Sequence, residues 1–228
     1  MKLVKAASFV LVSLLVLASF AGCSSVTKVK DTLALNDLHI QAAIAEDKGD
    51  DARALELWSE YVDRRPQSAL AEYRLGRVET RLGMTQQAIG HLRIAHDLKP
   101  GNIEYIEALS EALIQANRAD ALMKLLEESI NEGEPGSGQL RLARYAQRVG
   151  LMDEAREALL LAIAEQGKLT PAPYLAMADF MNTIGDQDGE VRYLRQALWF
   201  DASDPTILAR LEAMGMIPGP SLAIEPTE

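Results

Sequence analysis

Residues 75–100 read LGRVETRLGMTQQAIGHLRIAHDLKP, and they hold one complete structural unit. Gly83 marks the end of one helix, and Pro100 stops the next and closes the unit. Glycine ends a helix because it enters the left-handed region without a Cβ clash. Proline ends the next because it lacks the N–H and disfavours helix at the residue before it. The unit therefore reads as helix, turn, helix.

Outward from Gly83 the same mark recurs. Gly49, Gly83, Gly150 and Gly185 are separated by 34, 67 and 35 residues, and Asn117 stands at the midpoint of the long gap. Asparagine is the residue that most readily replaces glycine at a left-handed helix end, so the chain carries five marks at a period of about 34. Seven residues before each mark stand Ala42, Gly76, Ser110, Ala143 and Ala178, all small, as close helix crossings require. Nine after each stand Trp58, Leu92, Leu126, Leu159 and Leu194, and twelve after stand Tyr61, Ala95, Ser129, Ala162 and Ala197. Large and small alternate as interdigitating helices demand. Pro66 repeats the stop of Pro100, 34 residues earlier.

In Leu75-Gly76, Gly83, Ala88, Leu92, Ala95 and Pro100 the chain resembles the tetratricopeptide (TPR) family. The resemblance covers about residues 33–202 and implies an all-α solenoid of about five helix-turn-helix repeats. Leu122 in the third repeat and Glu190 in the fifth replace the alanine that the pattern expects. Beyond the repeats, Asp204-Pro205 opens a helix with Ile207, Leu208, Leu211 and Met214 at helical spacing, the expected capping helix of a segment 203–216. The tail 217–228, with Pro218, Pro220 and Pro226, is expected to be extended and mobile. Gly133-Glu134-Pro135-Gly136-Ser137-Gly138, between the third and fourth repeats, is either a hinge or a plain long connection.

The N-terminus follows a different logic. Lys2 and Lys5 precede an apolar run from Ala6 to Phe20, which ends in Ala21-Gly22-Cys23. A charged head, an apolar middle and a small-residue exit make an export signal. It resembles a bacterial lipoprotein signal over residues 1–22, which implies a diacylglyceryl and palmitoyl anchor on Cys23 and a tether over 23–31. By the same resemblance, Ser24 and Ser25, with no Asp after the cysteine, imply the outer membrane facing the periplasm. A retained transmembrane helix, for which 17 uncharged positions are at the short limit, and an ordinary cleaved signal remain open. A single cysteine excludes an intramolecular disulfide.

With 33 acidic against 23 basic residues, a formal net charge of −10, and no basic cluster, nucleic acid is not an expected partner. His39, His91 and His96 have no i,i+4 partner and fall in no metal motif, so neither metal nor cofactor is expected. Ser137 lies between glycines but lacks the strand-turn-helix setting of a nucleophile, and no phosphate loop occurs. Catalysis is not expected.

The family resemblance implies a concave groove lined by positions ten, six, three and two before each mark. In the second repeat these are Tyr73, Arg77, Thr80 and Arg81; in the third Glu107, Glu111, Ile114 and Gln115; in the fourth Leu140, Arg144, Gln147 and Arg148. Basic, acidic and basic bands follow one another. They either guide a peptide of complementary charge or neutralise one another as surface ion pairs. His39 and Ala43 stand where the family's carboxylate-gripping version has Lys and Asn. The expected function is a membrane-anchored protein-interaction scaffold of the bacterial cell envelope, similar to type IV pilus pilotins, which binds other envelope proteins through the groove. An adaptor for peptidoglycan hydrolases is the alternative, and a small-molecule or enzymatic groove is a third reading of another class.

Overall fold

Each of the five marks takes the left-handed backbone that its spacing demands. Gly49, Gly83, Gly150 and Gly185 have φ between 72° and 81°, and Asn117, at φ 53°, is the single non-glycine with positive φ among the described residues. The computed structural model describes residues 32–217, Gly219 and 221–226. The signal segment 1–22, Cys23, the tether 23–31, Pro218 and Pro220 lie outside the described residues.

Eleven helices and no strand are found among the described residues. They are α1 (32–47), α2 (Asp51–Arg64), α3 (Ala69–Arg81), α4 (Thr85–Leu98), α5 (Ile103–Gln115), α6 (Ala119–Glu128), α7 (Ser137–Arg148), α8 (Met152–Gln166), α9 (Ala172–Ile184), α10 (Gln187–Ala197) and α11 (Pro205–Ala213). Each mark lies between the two helices of a pair, and α2 and α4 end two residues before Pro66 and Pro100. Side-chain caps start several helices: Asp50 accepts from the Arg53 amide, Asn102 from Tyr105 and Asp186 from Gly189. Such caps satisfy donors that the first helical turn leaves unpaired. None of the helices among the described residues is long and apolar enough to cross a membrane.

The chain divides into two compact units, one up to Met84 and one from Thr85 onward. In the first, Leu38, Ala42 and Ala45 of α1 pack with Ala54, Leu57, Trp58 and Val62 of α2 and Ala71, Leu75 and Val78 of α3. Trp58 is core, edge-on to His39 at 5.2 Å between ring centroids. In the second unit consecutive helices from α4 to α11 pack in order. The recurring positions are its core: Leu92, Leu126, Leu159 and Leu194 are fully buried, and so are the small Ser110, Ala143 and Ala178. Burying one leucine in this way contributes about 1.5–3 kcal/mol.

Both departures from the repeat pattern are accommodated. Leu122 is completely buried. Glu190, also buried, accepts from Arg210 Nη2 of α11 at 2.6 Å, so the last helix supplies the cation that a buried carboxylate needs. That helix begins as its Asp-Pro signature predicts, with Asp204 accepting from the amides of Thr206 and Ile207, and it buries Ile207 and Leu211.

The tail departs from expectation. Its described residues form no helix, but they are fastened: Leu222 is buried in the cluster formed by α9, α10 and α11. Arg195 Nε donates to the Leu222 carbonyl at 2.7 Å, and the Ile224 amide donates to the Arg195 carbonyl at 3.1 Å. Prolines remove amide donors but leave carbonyls and an intervening aliphatic side chain, which suffice to fasten an extended strap. Trp199 stays half-exposed, while its neighbour Phe200 lies 6.2 Å from the Tyr174 ring.

Candidate functional site

The first helix of each repeat carries the residues that the register assigned to a groove. In the first unit, α3 presents Tyr73, Arg77 and Arg81, and each is engaged. Arg77 lies over the Tyr73 ring at 5.4 Å. Arg81 donates through Nε and Nη2 to Asp51 Oδ1 at 2.9 and 2.7 Å. That bond holds the Asp51 carboxyl below the usual carboxylate range and raises Arg81 in turn. Glu46, whose side chain is only 6% exposed, sits among Arg74, Arg77 and Arg81 at 3.2, 3.7 and 3.5 Å.

The second unit repeats this arrangement on α5 and α7. Arg144 donates to Glu107 at 2.6 Å, and Arg148 clasps Glu111 with both terminal nitrogens, Nη2 to Oε2 at 2.7 Å. Between the pairs lies the buried Tyr145, with Arg144 and Arg148 over its ring at 4.9 and 5.3 Å and its hydroxyl 3.3 Å from Glu111 Oε1. Burial, with the Glu111 charge adding to it, pushes the Tyr145 phenol up to about 12. The Arg148 hydrogen bond outweighs burial and holds Glu111 below its ordinary range. Hydrogen bonds between opposite charges favour the charged forms, which accounts for both arginines of the pairs titrating higher: Arg148 through its bond to Glu111, and Arg144 because Glu107 and Tyr145 overcome the cost of burial.

Beside this lattice α5, α7 and α9 enclose a groove of about 850 Å³. Ile103, Leu140, Ala143, Leu159 and Ala176 give it an aliphatic lining, and Glu107, Arg144 and Arg148 form a polar wall. The ion pairs named among the alternatives are thus formed, within each unit. The acidic band of α5 faces the basic band of α7, and the basic band of α3 faces Glu46 and Asp51. What the groove offers a ligand is an apolar floor beside a wall of donors and acceptors already oriented.

Some contributors escaped the sequence reading. Glu46 lies three residues before Gly49 and Asp179 six before Gly185, so the same register extended to the first and fifth repeats would have found them. Asp179 lines the groove and accepts from Arg210 at 2.6 Å. Tyr145 and Arg141 lie off the register, and only the Arg141-x-x-Arg144-Tyr145-x-x-Arg148 spacing along one helix hints at them. Arg141 is buried and donates through Nη2 to the carbonyls of Ser129 and Glu132 at 2.7 and 3.3 Å. Burial lowers its pKa. Its Nε finds no partner among the described residues. No cluster of three or more His, Cys, Asp or Glu side chains among the described residues is placed to hold a metal ion.

No family model matches the sequence, and no curated protein matches it. Solved structures do. The MamA protein is 17% identical, with 82% of this chain and 98% of that chain covered and a TM-score of 0.54. A MamA RS-1 double mutant is 12% identical over 75% and 97% of the two chains, at a TM-score of 0.53. TTC0263, a thermophilic TPR protein in Thermus thermophilus, is 20% identical over 80% and 100%, at 0.48. At such identities the likeness concerns the backbone alone. With the left-handed marks and the buried small and large positions, it gives the fold: an all-α array of tetratricopeptide-type helix-turn-helix repeats with a C-terminal capping helix.

Proposed function

We propose that this chain is a membrane-anchored interaction scaffold of the bacterial cell envelope, which holds a segment of a partner protein in the α5–α7–α9 groove and assists assembly of a pilus or secretion complex. The observation that carries the reading is the groove itself, whose aliphatic floor of Ile103, Leu140 and Ala176 runs beside the Glu107–Arg144 and Glu111–Arg148 pairs. An apolar floor supplies affinity, and fixed polar groups beside it supply register. In the first unit, taken by itself, α3 carries a similar set of an aromatic ring and engaged arginines in Tyr73, Arg77 and Arg81. The envelope address rests on the sequence of residues 1–25, with Cys23 as the acylated residue and the outer membrane as its destination.

The test is an affinity capture from envelope extracts with the wild-type chain and with a variant in which Arg77, Arg81, Arg144 and Arg148 are all replaced by Glu. Retention of a pilus or secretion component by the wild type, and its loss from the variant, is the expected result. Equal capture by both chains overturns the groove as the docking surface. Palmitate labelling that persists in Cys23→Ser overturns the anchor.

A further inference from the structure

The arginines on the first helices are occupied: in the first unit Arg74, Arg77 and Arg81 engage Glu46 and Asp51, and in the second Arg144 and Arg148 engage Glu107 and Glu111. A ligand that brings charge to them must first displace a carboxylate held at hydrogen-bond distance. The second helices carry cations in a different condition. Arg93 on α4 and the Arg118 guanidinium, at the start of α6, make no hydrogen bond or ion pair with any described residue. Both line a cleft of about 200 Å³ between α4, α5 and α6.

The rim of that cleft holds a third cation, Lys124, whose ammonium lies 3.8 Å from Glu128 in a pair open to solvent on both sides. Such an exposed pair contributes little and exchanges readily. His96, with Nδ1 3.6 Å from the exposed Asp97 carboxylate, completes the rim. Three permanent cations therefore meet two carboxylates, in a chain whose net charge is −10. On the same helix, outside the cleft lining, Ile94 and Leu98 directly follow Arg93 and Asp97 in sequence and are each 41% exposed. Guanidinium forks bind carboxylates with two parallel hydrogen bonds, and exposed aliphatic side chains beside them favour a ligand with alternating acidic and aliphatic residues.

We infer that the α4–α5–α6 cleft is a second docking site, separate from the groove, which takes an acidic segment of a partner polypeptide. Its carboxylates sit on Arg93 and Arg118, and an aliphatic side chain packs on Ile94 and Leu98. A scaffold with two separate docking sites holds two segments at once. This site does not depend on the groove reading.

The experiment uses the full-length chain and a fluorescein-labelled heptapeptide of sequence LEELEEL, with binding read by fluorescence anisotropy at low salt. Arg93→Glu/Arg118→Glu is expected to weaken binding by about tenfold or more, since charge reversal replaces attraction with repulsion. Arg144→Glu/Arg148→Glu is expected to leave it unchanged. An LQQLQQL peptide is expected not to bind. Failure of the wild-type chain to bind LEELEEL, equal binding of both peptides, or a loss caused by the groove variant and not by the cleft variant each overturns the assignment. Because Arg93 and Arg118 are exposed and engage no described partner, the cleft variant should keep the wild-type circular dichroism spectrum and melting temperature, so that lost binding is not lost folding.

Discussion

The connection between α6 and α7 and the tail after α11 have the same kind of sequence, rich in glycine or proline and poor in periodicity, and the same kind of fastening. In each, one arginine of a helix donates to two backbone carbonyls of the irregular segment. Arg141 of α7 reaches Ser129 and Glu132, and Arg195 of α10 reaches Leu222 and Ser221. They differ in what lies beneath. Gly138, in the first turn of α7, packs so closely on the connection that an added Cβ would lie 1.8 Å from the Ile130 carbonyl oxygen. The tail instead rests on one side chain, Leu222, in an apolar seat at the edge of the array. The connection is fixed by lack of space and the tail by a contact that it can lose, so substitutions should affect the two very differently.

The largest effect is expected at Gly138. No rotamer moves a Cβ away from a carbonyl oxygen, so Gly138→Ala requires the backbone of α7 or of the connection at Ile130 to shift. A destabilisation of about 3 kcal/mol or more is expected, at the upper end of overpacking costs. Chemical denaturation followed by circular dichroism measures it, and a midpoint equal to wild type would show that the connection has slack.

Arg141→Ala should come next. It removes the charge-assisted bonds to two backbone carbonyls, the Ser129 one buried, and leaves a cavity, for a loss of about 2–4 kcal/mol. Arg141→Met, which fills the volume without the cost of a buried charge, should recover part of it. Equal losses in the two variants would mean that the carbonyl bonds, and not the packing, hold the connection.

At the tail the expected loss is smaller. Leu222→Ala removes a nearly buried side chain from an edge that can partly collapse, at a cost of about 2 kcal/mol, near the low end for leucine truncation. Its local signature is faster hydrogen exchange at the Ile224 amide, whose bond to the Arg195 carbonyl depends on the strap staying seated. Exchange at amides of α5 and α7 should stay at the wild-type rate.

These two segments also mark where the sequence stopped being legible. The repeats could be read because periodicity encodes them. A left-handed mark every 34 residues, a small residue seven before it and a large one nine after it are local demands, and Asn117 and Gly83 meet them alike. The apolar spacing of Ile207 and Leu211 announced the capping helix for the same reason. A single arginine reaching a carbonyl twelve or 27 residues away has no period. Neither Arg141 nor Arg195 differs in sequence from a surface arginine, and Leu222 is one aliphatic residue among prolines. The register put Glu107 and Glu111 on α5 and Arg144 and Arg148 on α7, where they pair with one another. Whether they would meet one another or await a ligand depended on side-chain reach across neighbouring repeats, which spacing along the chain does not contain.

Changing pH separates the two modes of fastening from the groove lattice most sharply. Glu111, held below its ordinary 4.5 by the Arg148 bond, contributes stability that is fully present above that value and is lost as pH falls through its lower folded pKa. Asp51 behaves in the same way against Arg81. Tyr145 gives the opposite limb. Burial raises it from 10.0 to about 12, so stability present below 10 is lost as pH climbs through that window. The connection and the tail are tied by arginine bonds to backbone carbonyls, so no carboxylate has to stay ionised to hold them. As pH falls below about 4.5, the α5–α7 pairs should loosen first, by a modest amount because both members are partly exposed. The Ile224 amide and the packing around Gly138 should keep their protection. Hydrogen exchange recorded from neutral pH down to about 3, corrected for the intrinsic rate, provides the check. If Ile224 loses protection together with α5 and α7, the tail is tied to the ion-pair lattice, and the distinction between steric, strapped and ionic fastening fails at that point.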